Sequence, residues 1–299
     1  MINQRERTGA LLVAASAVCF SFTAVFAKLA YAGHVNLTTL LFARFILAAL
    51  VIWAVIACSR QSAATARREL GAYFFLALLG YGIATSCLFA SLRLIPASLA
   101  SMLLYTHPAL VAAGEVLFYR RPLTGNKTAA LVMSAAGLLM VLGTAAGKVS
   151  LPGVLLALGA SLSYAAYLLL GNRVLDHNDH SLAATGYVLG FAALGFGLYG
   201  LFSGQLDFGF QFSGWIWITA LAVVATVMAI ILLYAALTRI EAGRAAIIST
   251  LEPVLTVIMS ALIFRERLGP WQVTGGLLVL TAIMVLHVKP PVKGEVELH

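Results

Sequence analysis

The sequence predicts an all-α integral membrane protein: ten transmembrane helices arranged as two inverted five-helix repeats around a central cavity. Three observations carry this expectation. Composition comes first: 62% of the 299 residues are hydrophobic, 10% are charged and the mean hydropathy is +0.98, which leaves too little polar surface to close a water-soluble globule. The second is an internal repeat. Ile95-Pro96-Ala97-Ser98, Tyr105-Thr106-His107-Pro108 and Arg120 return in the second half as Ile240-Glu241-Ala242-Gly243, Thr250-Leu251-Glu252-Pro253 and Arg265, and Gly9-Ala10-Leu11-Leu12 returns as Gly153-Val154-Leu155-Leu156. The third is parity. Each copy holds five apolar spans, and an odd number forces the second copy to enter the membrane from the opposite face, the arrangement common among secondary transporters.

The spans follow in order at 9–31, 36–58, 71–91, 96–118, 125–144, 152–172, 183–202, 213–237, 243–264 and 270–288, each near the ~20 residues that cross a hydrocarbon core. The first is long enough to span and lacks a small-x-small cleavage site, so it is expected to remain in the protein. The fourth and ninth carry Pro108 and Pro253 about halfway along, where each should kink. The seventh spells Gly195-Phe196-Gly197-Leu198-Tyr199-Gly200. With no strand before it, this is a small-residue packing face shared with Gly186 and Gly190, not a dinucleotide fingerprint. Trp215 and Trp217 open the eighth as interfacial anchors. Residues 1–147 and 148–290 form the two repeats, with 291–299 as a cytoplasmic tail. The longer connections are the polar stretch 59–70 and the Asp176 to His180 turn.

Basic residues orient the bundle. Arg5, Arg7, Arg60, Arg67, Arg68, Arg120, Arg121, Lys127, Arg173, Arg239, Arg244, Lys289 and Lys293 fall on one side, against Lys28, Arg93, Lys148, Arg265 and Arg267 on the other, which places both termini in the cytoplasm. This bias accounts for the net charge of +8 and for a pI near 9.6, with no need for a nucleic-acid partner. Cys19, Cys58 and Cys87 stand singly and read as packing residues. No cofactor motif, metal cluster or catalytic constellation is expected, so the chain is not read as an enzyme.

The residues that could carry chemistry sit at mid-membrane depth. A proline inside a helix frees the carbonyl four residues earlier, here those of Leu104 and Ser249, and in a bilayer that is tolerated only beside a cavity, water or another helix. His107 and Glu252 precede the two prolines and are related by the repeat. Ionisable groups at that depth are costly and usually face inward, so they are candidate lining residues. Tyr105, Thr106, Tyr81, Ser86, Phe20, Tyr164, Ser249 and Thr250 complete the candidate lining, with Pro108 and Pro253 as hinges. Lys28 and Arg44 can snorkel from nearer the ends, Arg44 lying deeper, and Glu115 is expected to form an interfacial pair with Arg120 or Arg121.

Phe20 with Lys28, Arg44, Phe89-Ala90-Ser91-Leu92 running into Pro96-Ala97-Ser98, and Pro108 to Phe118 in the first copy resemble the EamA domains of the drug/metabolite transporter superfamily. So do Tyr234-Ala235-Ala236-Leu237, Ala245 to Pro253, Phe264-Arg265-Glu266-Arg267-Leu268 and Gly275-Gly276 in the second. The first copy departs from the pattern, having Arg121 where the second has Glu266. The resemblance implies a multi-pass protein of a bacterial inner membrane, working as a monomer on a small-molecule substrate. Its nearest likeness is to exporters of aromatic and other neutral amino acids that use alternating access. The alternatives are a multidrug or small-metabolite exporter of the same fold, or a receptor or scaffold that moves no solute.

Overall fold

The computed structural model describes residues 4–59, 67–120, 122, 124–143, 150–174 and 182–287. The Asp176 to His180 turn, Arg121, most of the 59–70 stretch and the 291–299 tail therefore lie outside the described residues. Among those described there is no strand. The chain forms ten rods: α1 (Gln4–Ala32), α2 (Leu37–Ser59), α3 (Arg67–Phe75, Leu76–Gly82 and Ile83–Ser91 end to end), α4 (Ala97–Leu104 and His107–Tyr119), α5 (Gly125–Gly143), α6 (Leu151–Val174), α7 (Leu182–Phe202), α8 (Phe212–Ala222, Val223–Met228 and Ala229–Leu237), α9 (Ala242–Ser249 and Leu251–Phe264) and α10 (Pro270–His287). All except α5 and the shorter apolar α10 have the length and hydropathy of a membrane span.

Local sequence sets where these rods break. α4 is interrupted at Tyr105-Thr106 and α9 at Thr250, just before Pro108 and Pro253, because neither proline can donate the amide bond that would continue the ladder. α3 and α8 each carry a π-helical stretch at repeat-related positions, Leu76–Gly82 and Val223–Met228. Arg120 and Arg265 stop α4 and α9 in the left-handed region, at φ 50° and 54°, so the two copies also end alike.

Packing follows the repeat. α2 pairs with α7 and α5 with α10, each rod meeting its own repeat mate, while α1 lies on α8 and α9 as α6 lies on α3 and α4. A methyl added at Gly9, at the start of α1, would fall 2.5 Å from Ile240 Cγ2 just past α8. One added at Gly153, at the start of α6, would fall 2.6 Å from Ile95 Cγ2 just past α3. These contacts run α1 antiparallel to α8 and α6 antiparallel to α3. The Tyr31 hydroxyl donates to the Phe89 carbonyl at 2.9 Å, tying the end of α1 to the end of α3, so α1 and α3 are parallel and α6 is inverted relative to α1.

The main core is aliphatic and small. It joins Ala24, Leu41, Phe45, Ala48 and Ile52 to Phe89, Leu99, Leu189, Ala192, Ile218 and Ala225. Small residues dominate because lipid offers no hydrophobic drive to bring helices together, so close backbone approach must supply dispersion contact instead.

One end of the bundle, opposite the termini, is held by a carboxylate. Glu266, just past α9, accepts from Lys28 Nζ at 2.8 Å, from the Ala97 and Ser98 amides at 2.9 and 3.1 Å and from Ser98 Oγ at 2.7 Å. It thereby caps α4, whose first amides lack helical partners, and ties α1 to α9.

Candidate transport site

The break in α4 positions the first site residue. The structure turns the His107 ring back so that Nδ1 lies 2.9 Å from the Leu104 carbonyl, the group Pro108 frees. A carbonyl can only accept, so Nδ1 carries a proton here. His107 thus repairs the helix that its neighbour interrupts. The Thr106 hydroxyl meets Ser161 Oγ at 2.8 Å and the Leu103 carbonyl at 2.7 Å, and Thr250 does the equivalent for α9 by donating to the Ile247 carbonyl at 2.7 Å.

Around His107 the structure gathers an aromatic row. Its ring stands edge-on to Tyr164 at 4.9 Å and beside Tyr105 at 5.6 Å. Tyr164 stacks on Tyr167 at 5.8 Å, Tyr167 contacts Tyr81 at 5.7 Å, and Tyr81 contacts Phe45 at 5.6 Å. Tyr234 enters the same electrostatic neighbourhood, its hydroxyl 2.9 Å from Thr185 Oγ1. Glu252 lies in the electrostatic neighbourhood of Tyr105. Tyr105 thus neighbours both His107 and Glu252. Farther along α9, Thr256 Oγ1 donates to the Glu252 carbonyl at 3.0 Å and to the Ser21 carbonyl at 3.2 Å, anchoring this part of the helix to α1.

The remaining candidates are scattered. Phe20 lies half-buried on α1 with no ring of the row against it, and Ser249 is half-buried at the end of the first segment of α9. Ser86 lines a different space, a cleft of about 700 Å³ between α2, α3 and α7 that also holds Asn36, Arg93, Phe196, Gln205 and Asp207. Glu115 pairs at 2.8 Å with Lys127, a residue not expected as its partner. Of the cysteines read as packing residues, Cys19 is buried and Cys87 half-buried, whereas Cys58 is exposed. Tyr167, Thr226 and the full burial of Arg44 escaped the sequence reading. Tyr167 had a signal: it lies three residues after Tyr164, on the same helical face.

Both halves of the chain, residues 7–143 and 151–288, match the model of the EamA-like transporter family. The chain belongs to the EamA-like transporter family. It is 24% identical over 297 residues to an uncharacterized transporter, YcbK, of Bacillus subtilis, covering 89% of this chain and 88% of that protein. It is 30% identical over 218 residues to the threonine/homoserine exporter RhtA of Escherichia coli K12, covering 70% of this chain and 68% of that one. A solved crystal structure superposes with a TM-score of 0.65 at 18% identity, covering 93% of this chain and 96% of the other, which shows a shared fold.

This EamA-like protein is thus a multi-pass membrane transporter of small molecules, not an enzyme. Within such a fold the aromatic row has a defined position. It is built from α3, α4, α6 and α8, and with Glu252 of α9 it lies where the two five-rod copies meet.

Proposed function

We propose that this chain exports neutral amino acids, with aromatic and large apolar side chains accepted, by alternating access between its two repeats. The observation that carries the proposal is the row of Tyr81, Tyr164, Tyr167 and Tyr105, closed by His107 and Glu252 at the junction of the copies. Tyrosines offer flat apolar walls with polar tips, which suit a solute that joins an apolar side chain to a zwitterionic head. An exporter of threonine and homoserine among the relatives supports the amino-acid class. The breaks before Pro108 and Pro253 supply bending points in α4 and α9, so residues 1–147 and 148–290 rock against each other there. The Lys and Arg bias supports a cytoplasmic-membrane location with both termini inside.

Counterflow of labelled phenylalanine in proteoliposomes tests the reading. Saturable exchange, competed by tryptophan, methionine and threonine, is expected. If none of these enters or competes while a cationic dye is taken up, the amino-acid assignment fails and a multidrug exporter replaces it.

A further inference from the structure

We infer that Arg44 is the floor of an anion site that receives a carboxylate. Arg44 projects from the first half of α2 and is only 3% exposed. Its guanidinium carbon lies 5.2 Å from the Phe45 ring centre and 5.0 Å from that of Phe89, and Nε donates to Thr226 Oγ1 at 3.1 Å. Nη1 is buried with no hydrogen-bond partner. Among the described residues no carboxylate pairs with it. A buried guanidinium that cannot shed its proton needs a counter-charge, and aromatic faces with one hydroxyl do not provide one. Nη1 is thus a buried donor left without an acceptor, which a carboxylate oxygen would satisfy.

The surroundings favour a transient occupant over a structural one. Arg44 is linked to both π-helical stretches: it donates to Thr226 of Val223–Met228, and the Phe45 ring beneath it contacts Tyr81 of Leu76–Gly82. Such wide turns occur mostly at functional positions. Two stacked rings separate Arg44 from the 700 Å³ cleft, since Phe45 stacks at 5.7 Å on Phe196, which lines that cleft. Tyr81 also contacts Phe45 and Tyr167, which makes Arg44 the cationic end of the same row whose acidic end is Glu252. Naming the anion as the carboxylate of the exported solute rests on the amino-acid reading; the anion site itself does not.

Thermal unfolding of the full-length protein in detergent, with three ring-matched probes, separates the two. Benzoate should raise the melting temperature in a saturable way, while benzamide and benzylamine should not. Arg44→Lys, which keeps the charge but loses the fork, should weaken the benzoate response at least tenfold. Arg44→Met should abolish it and, with benzoate absent, melt no lower than the parent, because a buried charge without a counter-ion is removed. A benzoate response of equal strength in the parent and both variants, or none in the parent, overturns the site. So does an Arg44→Met protein that melts lower than the parent when no probe is present. Should that variant not fold, an unchanged benzoate affinity in Arg44→Lys overturns the site equally. An Arg44-dependent benzoate response in a protein that fails phenylalanine counterflow keeps the site and removes the amino acid.

Discussion

Lys28 Nζ and Glu266 Oε1 lie 2.8 Å apart, joining the C-terminal part of α1 to the second residue beyond α9, and the two side chains are 21% and 10% exposed. The same carboxylate caps α4 through Ala97 and Ser98. Under the repeat, the positions of Lys28, Glu266 and Ser98 are taken by Asn172, Arg121 and Gly243, an amide, a cation and a residue without a side chain. The carboxylate and hydroxyl of the clasp are therefore not repeated in the other copy.

Glu266→Ala should open that end. Loss of charge-assisted hydrogen bonds costs about 1.5–3 kcal/mol, so unfolding in detergent should begin at lower temperature. A cysteine at Ser101, buried on the first turns of α4, should be labelled severalfold faster by an impermeant maleimide. Unchanged labelling would show that α4 stays seated without the carboxylate.

Acid should have the same effect. Burial on its own would push the Glu266 carboxyl up, but the bonds from Lys28, Ser98 and the Ala97 and Ser98 amides outweigh it and hold the group below its usual value. A carboxyl depressed in the folded state stabilises fully above its unfolded pKa of about 4.3 and loses that contribution as pH falls through the lower folded value. The melting temperature should therefore drop on the acid side of about pH 4.3, and Glu266→Gln should flatten part of that drop. Superimposable acid limbs in parent and variant would assign the loss to other carboxyls.

His107 and Pro108 should be coupled energetically. With Pro108 present, His107→Leu leaves the Leu104 carbonyl unpaired and should cost about 1–3 kcal/mol. In a Pro108→Ala background the restored amide takes over that carbonyl, so the same substitution should cost much less. A double-mutant cycle of unfolding free energies measures this directly. Additive effects would mean that the Nδ1 bond contributes nothing. Pro108→Ala with Pro253→Ala should leave a folded protein that transports slowly, and unchanged turnover would reduce the prolines to packing.

Glycine tolerance should follow backbone proximity. A methyl on Gly137 would fall 2.6 Å from the Gly275 carbonyl oxygen, where α5 crosses α10 and the backbone cannot withdraw. Gly137→Ala should cost about 1–3 kcal/mol. Gly190→Ala, with nothing within 4 Å, should be neutral or slightly stabilising. Equal melting temperatures for the two variants would show that α5 and α10 part easily.

Much of this architecture is legible in one dimension. Repeat and hydropathy are properties of the chain itself, so the ten rods, the inversion and the breaks at His107-Pro108 and Glu252-Pro253 can be placed before any coordinates. What lies across the bundle is not. That His107 bends back onto its own helix depends on a rotamer, and that Ser86 faces a separate cleft depends on how α3 is rotated. Without a partner's position, Arg44 reads as a snorkelling residue, because only the packing of Phe45, Phe89 and Thr226 shows that its head is enclosed. The π-helical stretches of α3 and α8 are likewise not placed by the hydropathy pattern.

The exchange of partners between the copies, α1 resting on α8 and α9 and α6 on α3 and α4, has a consequence for how the protein is made. Chain synthesis delivers α1 long before α8 and α9 exist, so its partners there are absent while six more rods are inserted. The first five rods must wait in the lipid as loosely associated helices, with the small-residue faces of α2 and α5 uncovered until α7 and α10 arrive. A ribosome stalled after the first repeat would thus leave a membrane-inserted intermediate with unsatisfied packing surfaces, of the kind that quality-control proteases recognise, and maturation would be decided at the last helix.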